Sequence, residues 1–202
     1  MALQRFRRGC AMVKVGFICE GETEKLIIES ETFKTLLLKL GLELILAINA
    51  DGNGNLLPHN IEKFIAILED AGSDKIFILT DLDKDSCVTF TKKRISAREN
   101  DIVIIAVKQI EAWFLSDSKT LSNLFKTKFQ FEFPENEDAP YDTLNNFFIN
   151  YTGRGNGKKD NGGKIKTTRK MLTNGFSITQ SASHPNCKSA AYFFNKLKSV
   201  TV

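Results

Sequence analysis

The sequence has no apolar run that approaches the length of a membrane span. Its 202 residues are 42% hydrophobic and 26% charged, a balance typical of a soluble protein with one domain and an appendage. A transmembrane helix needs about 20 consecutive apolar residues, and the stretch after the basic start MALQRFRRGC has no small-residue cleavage site. We therefore predict a cytoplasmic protein with no membrane partner, in which residues 1–12 form a disordered lead.

Cysteine and histidine are too few and too scattered to indicate a structural zinc site. The four cysteines, Cys10, Cys19, Cys87 and Cys187, include no C-x-x-C pair, and the chain has only two histidines. Structural zinc sites need four such ligands at characteristic spacings. Cys19 follows an apolar run, so we predict that it is a small buried residue at a strand end and not a reactive thiol.

Acidic residues are almost absent from the last quarter of the chain. Residues 151–202 contain ten Lys or Arg residues and one acid, a net charge of +9, whereas residues 1–150 contain 18 basic and 23 acidic residues, a net charge of −5. Such an asymmetry indicates an acidic body with a basic arm that could receive a polyanion.

Four short apolar runs alternate with amphipathic segments in the first half of the chain. This alternation, with each strand almost wholly apolar, is typical of a parallel sheet covered by helices on both faces. The predicted strands are 13–19, 43–49, 75–83 and 101–107, and the predicted helices are 23–40, 56–72 and part of 86–98. The sequence therefore predicts an α/β fold with a parallel four-stranded sheet.

After residue 108 the strand signals stop. We predict two helices within 109–129 and an acidic linker at 131–140. Further helices are predicted at 141–151, 165–172 and 188–200. Residues 152–164 carry so many glycines and charges that we predict a mobile loop. Trp113 and Phe114 are predicted to be core residues. The region 118–202 is thus expected to be a helical, basic C-terminal region.

Acidic residues follow three of the predicted strands. Glu20 follows the first, Asp81 and Asp83 follow the third, and Glu111 lies just past the fourth. The carboxyl ends of parallel strands meet at one edge of a sheet, and crowded carboxylates need a cation such as Mg²⁺ to neutralise them. Alternate strand residues share a face, so Asp-x-Asp could aim both side chains at one ion. Three further acids, Glu22, Glu24 and Asp85, are predicted to be helix-start or solvent-facing residues.

A strand ending in Glu-Gly and a later strand ending in Asp-x-Asp together resemble the TOPRIM domain. The segments EGETE and IEAWFLSD are similar to those of small stand-alone OLD and RloB-type TOPRIM proteins of bacteria. The resemblance covers about residues 13–117 and implies a Rossmann-like catalytic domain there. It implies Glu20 as general acid or base, with Asp81 and Asp83 as ligands of Mg²⁺ or Mn²⁺, and a nuclease of anti-phage defence as the context.

The basic arm is the predicted nucleic-acid contact, because Lys, Arg and backbone N–H groups bind phosphates. Its predicted contact residues are Arg154, Lys158, Lys159, Lys164, Lys166 and Arg169.

Two functional hypotheses follow. The first is a metal-dependent endonuclease with Glu20, Asp81 and Asp83 as catalytic residues that hold one or two metal ions, and with Glu111 as a further candidate metal ligand. In the alternative arrangement, Glu20 shuttles the proton instead of binding an ion. The second is a non-catalytic subunit that keeps the fold and binds nucleic acid or a protein. The sequence leaves open whether the substrate is DNA, RNA or tRNA, whether one or two ions bind, whether an ATPase or other defence-system partner is needed, and the oligomeric state.

Overall fold

The structure, a computed structural model, describes residues 12–95, 98 and 100–200. All of the predicted lead except Met12 therefore lies outside the described residues. Four strands form one sheet: β1 (Val13–Cys19), β2 (Leu42–Asn49), β3 (Lys75–Asp81) and β4 (Ile102–Ala106). Their order is β2-β1-β3-β4, and every neighbouring pair is parallel. The predicted four-stranded parallel sheet is confirmed.

Ten α-helices connect or follow the strands within the described part of the chain. They are α1 (Glu22–Ile28), α2 (Glu31–Lys39), α3 (Pro58–Asp70), α4 (Val88–Ile95), α5 (Glu111–Ser116), α6 (Ser118–Phe125), α7 (Pro140–Thr152), α8 (Lys164–Thr173), α9 (Ile178–Ser183) and α10 (Lys188–Ser199). None of these helices is long and apolar enough to cross a lipid bilayer.

Both faces of the sheet are covered, because its central strands are apolar at successive positions. Phe17 and Phe77 belong to a large apolar cluster on one face, whereas Ile18 and Ile78 belong to a second cluster with helices α3 and α4 on the other. Alternate strand residues point to opposite faces, so a continuous apolar run fills both layers.

The C-terminal helices pack on the sheet and share its core. Phe193 of α10 lies 5.6 Å from Trp113 and 6.3 Å from both Phe17 and Phe77, measured between ring centroids. The indole N–H of Trp113 donates to Ser189 Oγ at 2.7 Å. Trp113 is fully buried, as is Phe114, so their predicted core role is confirmed.

Two helices differ from the sequence prediction. The single helix predicted at 23–40 is divided at Ser30, whose hydroxyl group donates to Ile27 O at 2.7 Å and accepts from Phe33 N at 3.3 Å. The Ser30 side chain thus caps the start of α2 just after α1 ends. Helix α9 was not predicted, because ITQSAS is short and mostly polar.

Residues 152–164, predicted to be a mobile loop, are mostly exposed and have no helix or strand at 154–158, but two of their residues, Asn156 and Gly163, are buried. The buried Asn156 side chain donates to Thr167 Oγ1 at 3.0 Å, and the Asn156 backbone N–H donates to Asn145 Oδ1 at 2.6 Å. Lys159–Gly163 form a kinked turn that leads into α8, in which Asn161 and Gly162 have non-helical backbone angles. The Gly163 backbone is buried, and a Cβ there would approach Lys158 O to 2.5 Å. Hydrogen bonds of Asn156 and Asn145 therefore hold this polar segment against the protein, although it has few apolar side chains to pack.

Candidate active site: an acidic cleft at the centre of the sheet

The candidate site lies where the strand order changes direction. β1 is paired with β2 on one side and with β3 on the other, so the carboxyl ends of β1 and β3 flank the switch point of the sheet. Open parallel sheets bind ligands at this position. Glu20 directly follows β1 and Asp81 ends β3, and both line a cleft of about 360 Å³ together with Glu24, Asp83 and Lys164. The predicted convergence of Glu20, Asp81 and Asp83 is therefore observed.

Glu20 is held by both neighbouring segments. Its backbone N–H donates to Leu79 O at 2.9 Å, and its carbonyl group accepts from Gly52 N at 2.8 Å. Its carboxylate accepts from the Asp81 backbone N–H at 3.1 Å and from the hydroxyl group of Thr80. These contacts fix Glu20 beside the end of β3.

Asp81 is buried at the base of the cleft. Its Oδ1 atom accepts from the Ile110 backbone N–H at 2.7 Å, and its Oδ2 atom lies 3.8 Å from Lys164 Nζ. Burial, together with the nearby carboxylates of Glu24 and Glu111, raises the pKa of Asp81 well above its ordinary value. An ionised Asp81 is thus costly unless a cation lies close to it.

Asp83 reaches the cleft by a different route from the one that strand alternation predicts. It lies in a turn beyond β3, in the left-handed region with φ of 47°. Its backbone N–H donates to Lys108 O at 2.9 Å, and its Oδ1 atom accepts from Gln109 Nε2 at 3.1 Å. The shared-face argument for Asp-x-Asp is wrong, although Asp81 and Asp83 line the same cleft.

Glu111 lies beneath the cleft and is fully buried. Its Oε2 atom forms an ion pair with Lys164 Nζ at 3.1 Å, yet neither carboxylate oxygen accepts a hydrogen bond from the described residues. Burial raises the pKa of Glu111, and the Lys164 charge opposes this shift. A buried acceptor without a hydrogen bond is rare and costly, so Glu111 depends on a cation.

Lys164 supplies that positive charge from the first residue of α8. Burial alone would lower its pKa, but the carboxylates of Glu111, Asp81 and Glu24 outweigh burial and raise it. Its side chain is 21% exposed. Lys164, which was predicted to contact phosphate, therefore lies within the acidic site. It is more than 50 residues along the chain from Asp81 and Glu111, the acids with which it pairs.

Glu24 is a site residue that sequence reasoning missed. It was predicted to be a helix-start or solvent-facing residue, and its Oε2 atom does accept from the Gly21 N–H at 3.1 Å. The side chain is nevertheless buried in the cleft wall, and burial raises its pKa to about 7. Its sequence position is that of an ordinary acid in the first turn of a helix, so no local signal marked it as a site residue.

The remaining predicted phosphate contacts lie at different places. Lys159 lines the cleft beside Asp81 and Asp83. The others are exposed and do not line this cleft, namely Arg154, Lys158, Lys166 and Arg169. Their contact with nucleic acid stays a prediction.

The donor atoms of the cleft are chemically suited to a hard divalent ion. Mg²⁺ prefers carboxylate oxygens, and the Glu111 oxygens have no hydrogen-bond partner. Within residues 12–95, 98 and 100–200, no three His, Cys, Asp or Glu side chains are grouped closely enough to hold a metal ion as they stand. The Lys164 ammonium group instead supplies the positive charge between Asp81 and Glu111.

The raised pKa of Glu24 predicts a pH-dependent effect of Glu24→Gln on stability. A carboxyl group whose pKa is about 7 when folded and about 4.5 when unfolded contributes stability below pH 4.5 that is lost as the pH rises through 7. Glutamine keeps the hydrogen bond to Gly21 without the charge. We expect the variant to gain roughly 1–3 kcal/mol at pH 8 and little at pH 4.5, measured by urea unfolding with a chelator present. An equal change at both pH values would contradict the shift.

No family model, curated protein or solved structure matches the chain, so its resemblance to TOPRIM proteins remains a prediction that rests on the motifs around Glu20, Asp81 and Asp83.

Proposed function

We propose that the protein is a metal-dependent nuclease that cleaves phosphodiester bonds in DNA or RNA. The observation that carries the proposal is the cluster of buried carboxyl groups at the switch point of the sheet. Glu111, Asp81 and Glu24 are all buried there, and all three carboxyl groups act on the Lys164 ammonium group and raise its pKa. A protein retains such a costly cluster when the cluster has a task that a neutral core cannot perform.

Each part of the cleft has a role in this chemistry. A divalent ion, held by Asp81, Asp83, Glu20 and Glu111, would activate water and stabilise the leaving oxygen. Alternatively, the Glu20 carboxylate, which is fixed beside the end of β3, would accept a proton in the cleft instead of binding the ion. Lys159 lines the cleft and can hold a substrate phosphate.

The family context of this proposal comes from the motifs. The Glu-Gly and Asp-x-Asp segments that place acids in the cleft are those that resemble TOPRIM proteins of the OLD and RloB type. We therefore propose a TOPRIM nuclease that acts in anti-phage defence, in which an ATPase or another defence protein is a candidate partner.

One observation favours a second function. Lys164 already pairs with Asp81 and Glu111, which is the arrangement expected of a subunit that keeps the fold and binds nucleic acid or protein without catalysis.

A cleavage assay separates the two functions. Purified protein is incubated with labelled DNA and RNA in Mg²⁺, Mn²⁺ or chelator, beside the Asp81→Ala/Asp83→Ala variant. We expect ion-dependent products from the wild type and none from the variant. Equal cleavage by both proteins, or binding without cleavage of any substrate, would overturn the nuclease proposal.

A further inference from the structure

A cluster of aromatic side chains on α6 and α7 ends at the protein surface in Tyr151. The Tyr151 ring is stacked on the Phe125 ring, with 4.7 Å between centroids and 18° between planes. Phe125 is buried and also contacts Phe148 at 5.4 Å. Tyr151 is 47% exposed. The outermost ring is thus fixed by rings beneath it while part of it faces solvent.

Lys170 contacts this cluster, Lys166 lies one turn before Lys170 on α8, and Arg154 follows Tyr151 by three residues. Lys170 Nζ lies 4.5 Å from the centroid of the Phe148 ring and donates to Asn156 Oδ1 at 3.1 Å. Burial lowers the pKa of Lys170, and the charges of Lys166 and Arg154 lower it further. Among the residues that the structure describes, no Asp or Glu forms an ion pair with any of these three cations.

Like charges held together without a counter-charge repel one another and attract an anion. An exposed aromatic ring beside such cations offers a flat stacking surface together with phosphate contacts. Proteins bind single-stranded nucleic acids with this combination, since every unpaired base has a π-face. A paired base within a duplex is already stacked and does not expose that face.

We propose that Tyr151 is a stacking site for an unpaired base of single-stranded DNA or RNA, with Arg154, Lys166 and Lys170 binding the adjacent phosphates. This inference deepens the proposed function by naming an unpaired strand as the substrate class, and it rests on that function for its link to cleavage.

The chain itself connects this surface to the acidic cleft. From Tyr151, near the end of α7, the backbone continues to Gly157, whose carbonyl group accepts from the Tyr141 hydroxyl group at 2.7 Å. It then reaches Lys159, which lines the cleft. Tyr141 and Tyr151 are ten positions apart on α7, about 15 Å along the helix, and the Tyr141 end is the one tied to the segment that leads to Lys159.

Binding can be measured without cleavage, which keeps the two proposals distinguishable. Tyr151→Ala and Tyr151→Phe are made in the Asp81→Ala/Asp83→Ala background, with chelator present. Fluorescence anisotropy of labelled single strands, of the same strands with abasic positions, and of duplexes reports affinity. The matched control is Phe90→Ala, which removes an exposed aromatic side chain of similar exposure, 51%, from α4.

We expect Tyr151→Ala to weaken single-strand binding roughly 5- to 100-fold and to leave duplex and abasic-strand binding unchanged. Tyr151→Phe and Phe90→Ala should bind like the parent protein. Arg154→Gln/Lys166→Gln should lower the slope of log affinity against log salt by about 1.4, or roughly 0.7 for each lost phosphate contact.

Weakened binding by Tyr151→Ala supports the stacking site even if the wild type cleaves nothing. Cleavage by the wild type combined with normal single-strand binding by Tyr151→Ala overturns the stacking site alone. Absence of binding to any nucleic acid, as expected of a surface for a protein partner, overturns it as well.

Discussion

Cleavage by an Asp81→Asn variant is expected to fall at least about 100-fold below that of the wild type. Removing a group that only orients a metal ligand typically costs 10- to 100-fold, and Asp81 is itself the proposed ligand. Asparagine keeps the shape of the side chain and can still accept from the Ile110 N–H. The variant therefore tests the charge of Asp81 without removing its anchoring contact.

The same variant should be at least as stable as the wild type. Burial raises the pKa of Asp81, so the stability that this carboxyl group contributes at low pH is lost as the pH rises. Asparagine stays neutral, and Lys164 keeps its ion pair with Glu111. Thermal unfolding at pH 8 in chelator should show an unchanged or higher midpoint for Asp81→Asn.

Asp70→Asn is the matched control, because Asp70 is an exposed acid at the end of α3 that does not line the cleft. It should retain cleavage within a few-fold of the wild type. Full cleavage by Asp81→Asn, or loss of cleavage only because that variant unfolds, would contradict the proposed role.

Lys164→Gln is expected to lower the free energy of unfolding by about 3 kcal/mol in chelator, because removing one partner of a buried ion pair leaves uncompensated charge. Asp81, Glu111 and Glu24 would then repel one another without a cation. Lys166→Gln is the matched control on the same helix. Lys166 is exposed and forms no ion pair with the described acids, so this change should cost less than about 0.5 kcal/mol.

A divalent ion should compensate for the missing ammonium group. A ligand that binds only the folded protein at free concentration L stabilises it by RT ln(1 + L/Kd), so at one ligand concentration the tighter-binding protein gains more. Mn²⁺ should therefore raise the unfolding temperature of Lys164→Gln more than that of the wild type, and calorimetry should show tighter binding to the variant. An equal response of both proteins would mean that Lys164 and the ion do not share a position.

The sheet and the three acids could be predicted because their signals are local. The apolar runs that form β1, β3 and β4 are continuous, and a parallel sheet gathers the residues after its strands at one edge. Local signals also indicated α5, α6 and the basic helix α8. The division at Ser30 was missed because apolar spacing continues across it, although a serine can cap a helix.

The rest of the site depends on contacts between distant residues. Nothing near Lys164 in the sequence indicates that its side chain would be buried against Glu111. Glu24 has the sequence position of an ordinary helix-start acid, and only the packing of α1 beside α8 buries it. The anchoring of Asn156 likewise requires Asn145 and Thr167, eleven residues away on either side. The composition indicated a basic C-terminal region, but it could not indicate which of the basic residues would lie beside the acids.

Helix α8 carries two sets of cations in opposite directions. Lys166 and Lys170 lie roughly 200° and 240° around the helix from Lys164, at about 100° per residue, and buried Thr167 and Thr168 hold the helix against the protein. A rigid rod therefore fixes the distance between the cations beside Tyr151 and the acids beside Lys164. If both proposals hold, α8 sets the position of cleavage along the bound strand. The strand would be cut a constant number of nucleotides from the stacked base, so every product would end at the same distance from that base.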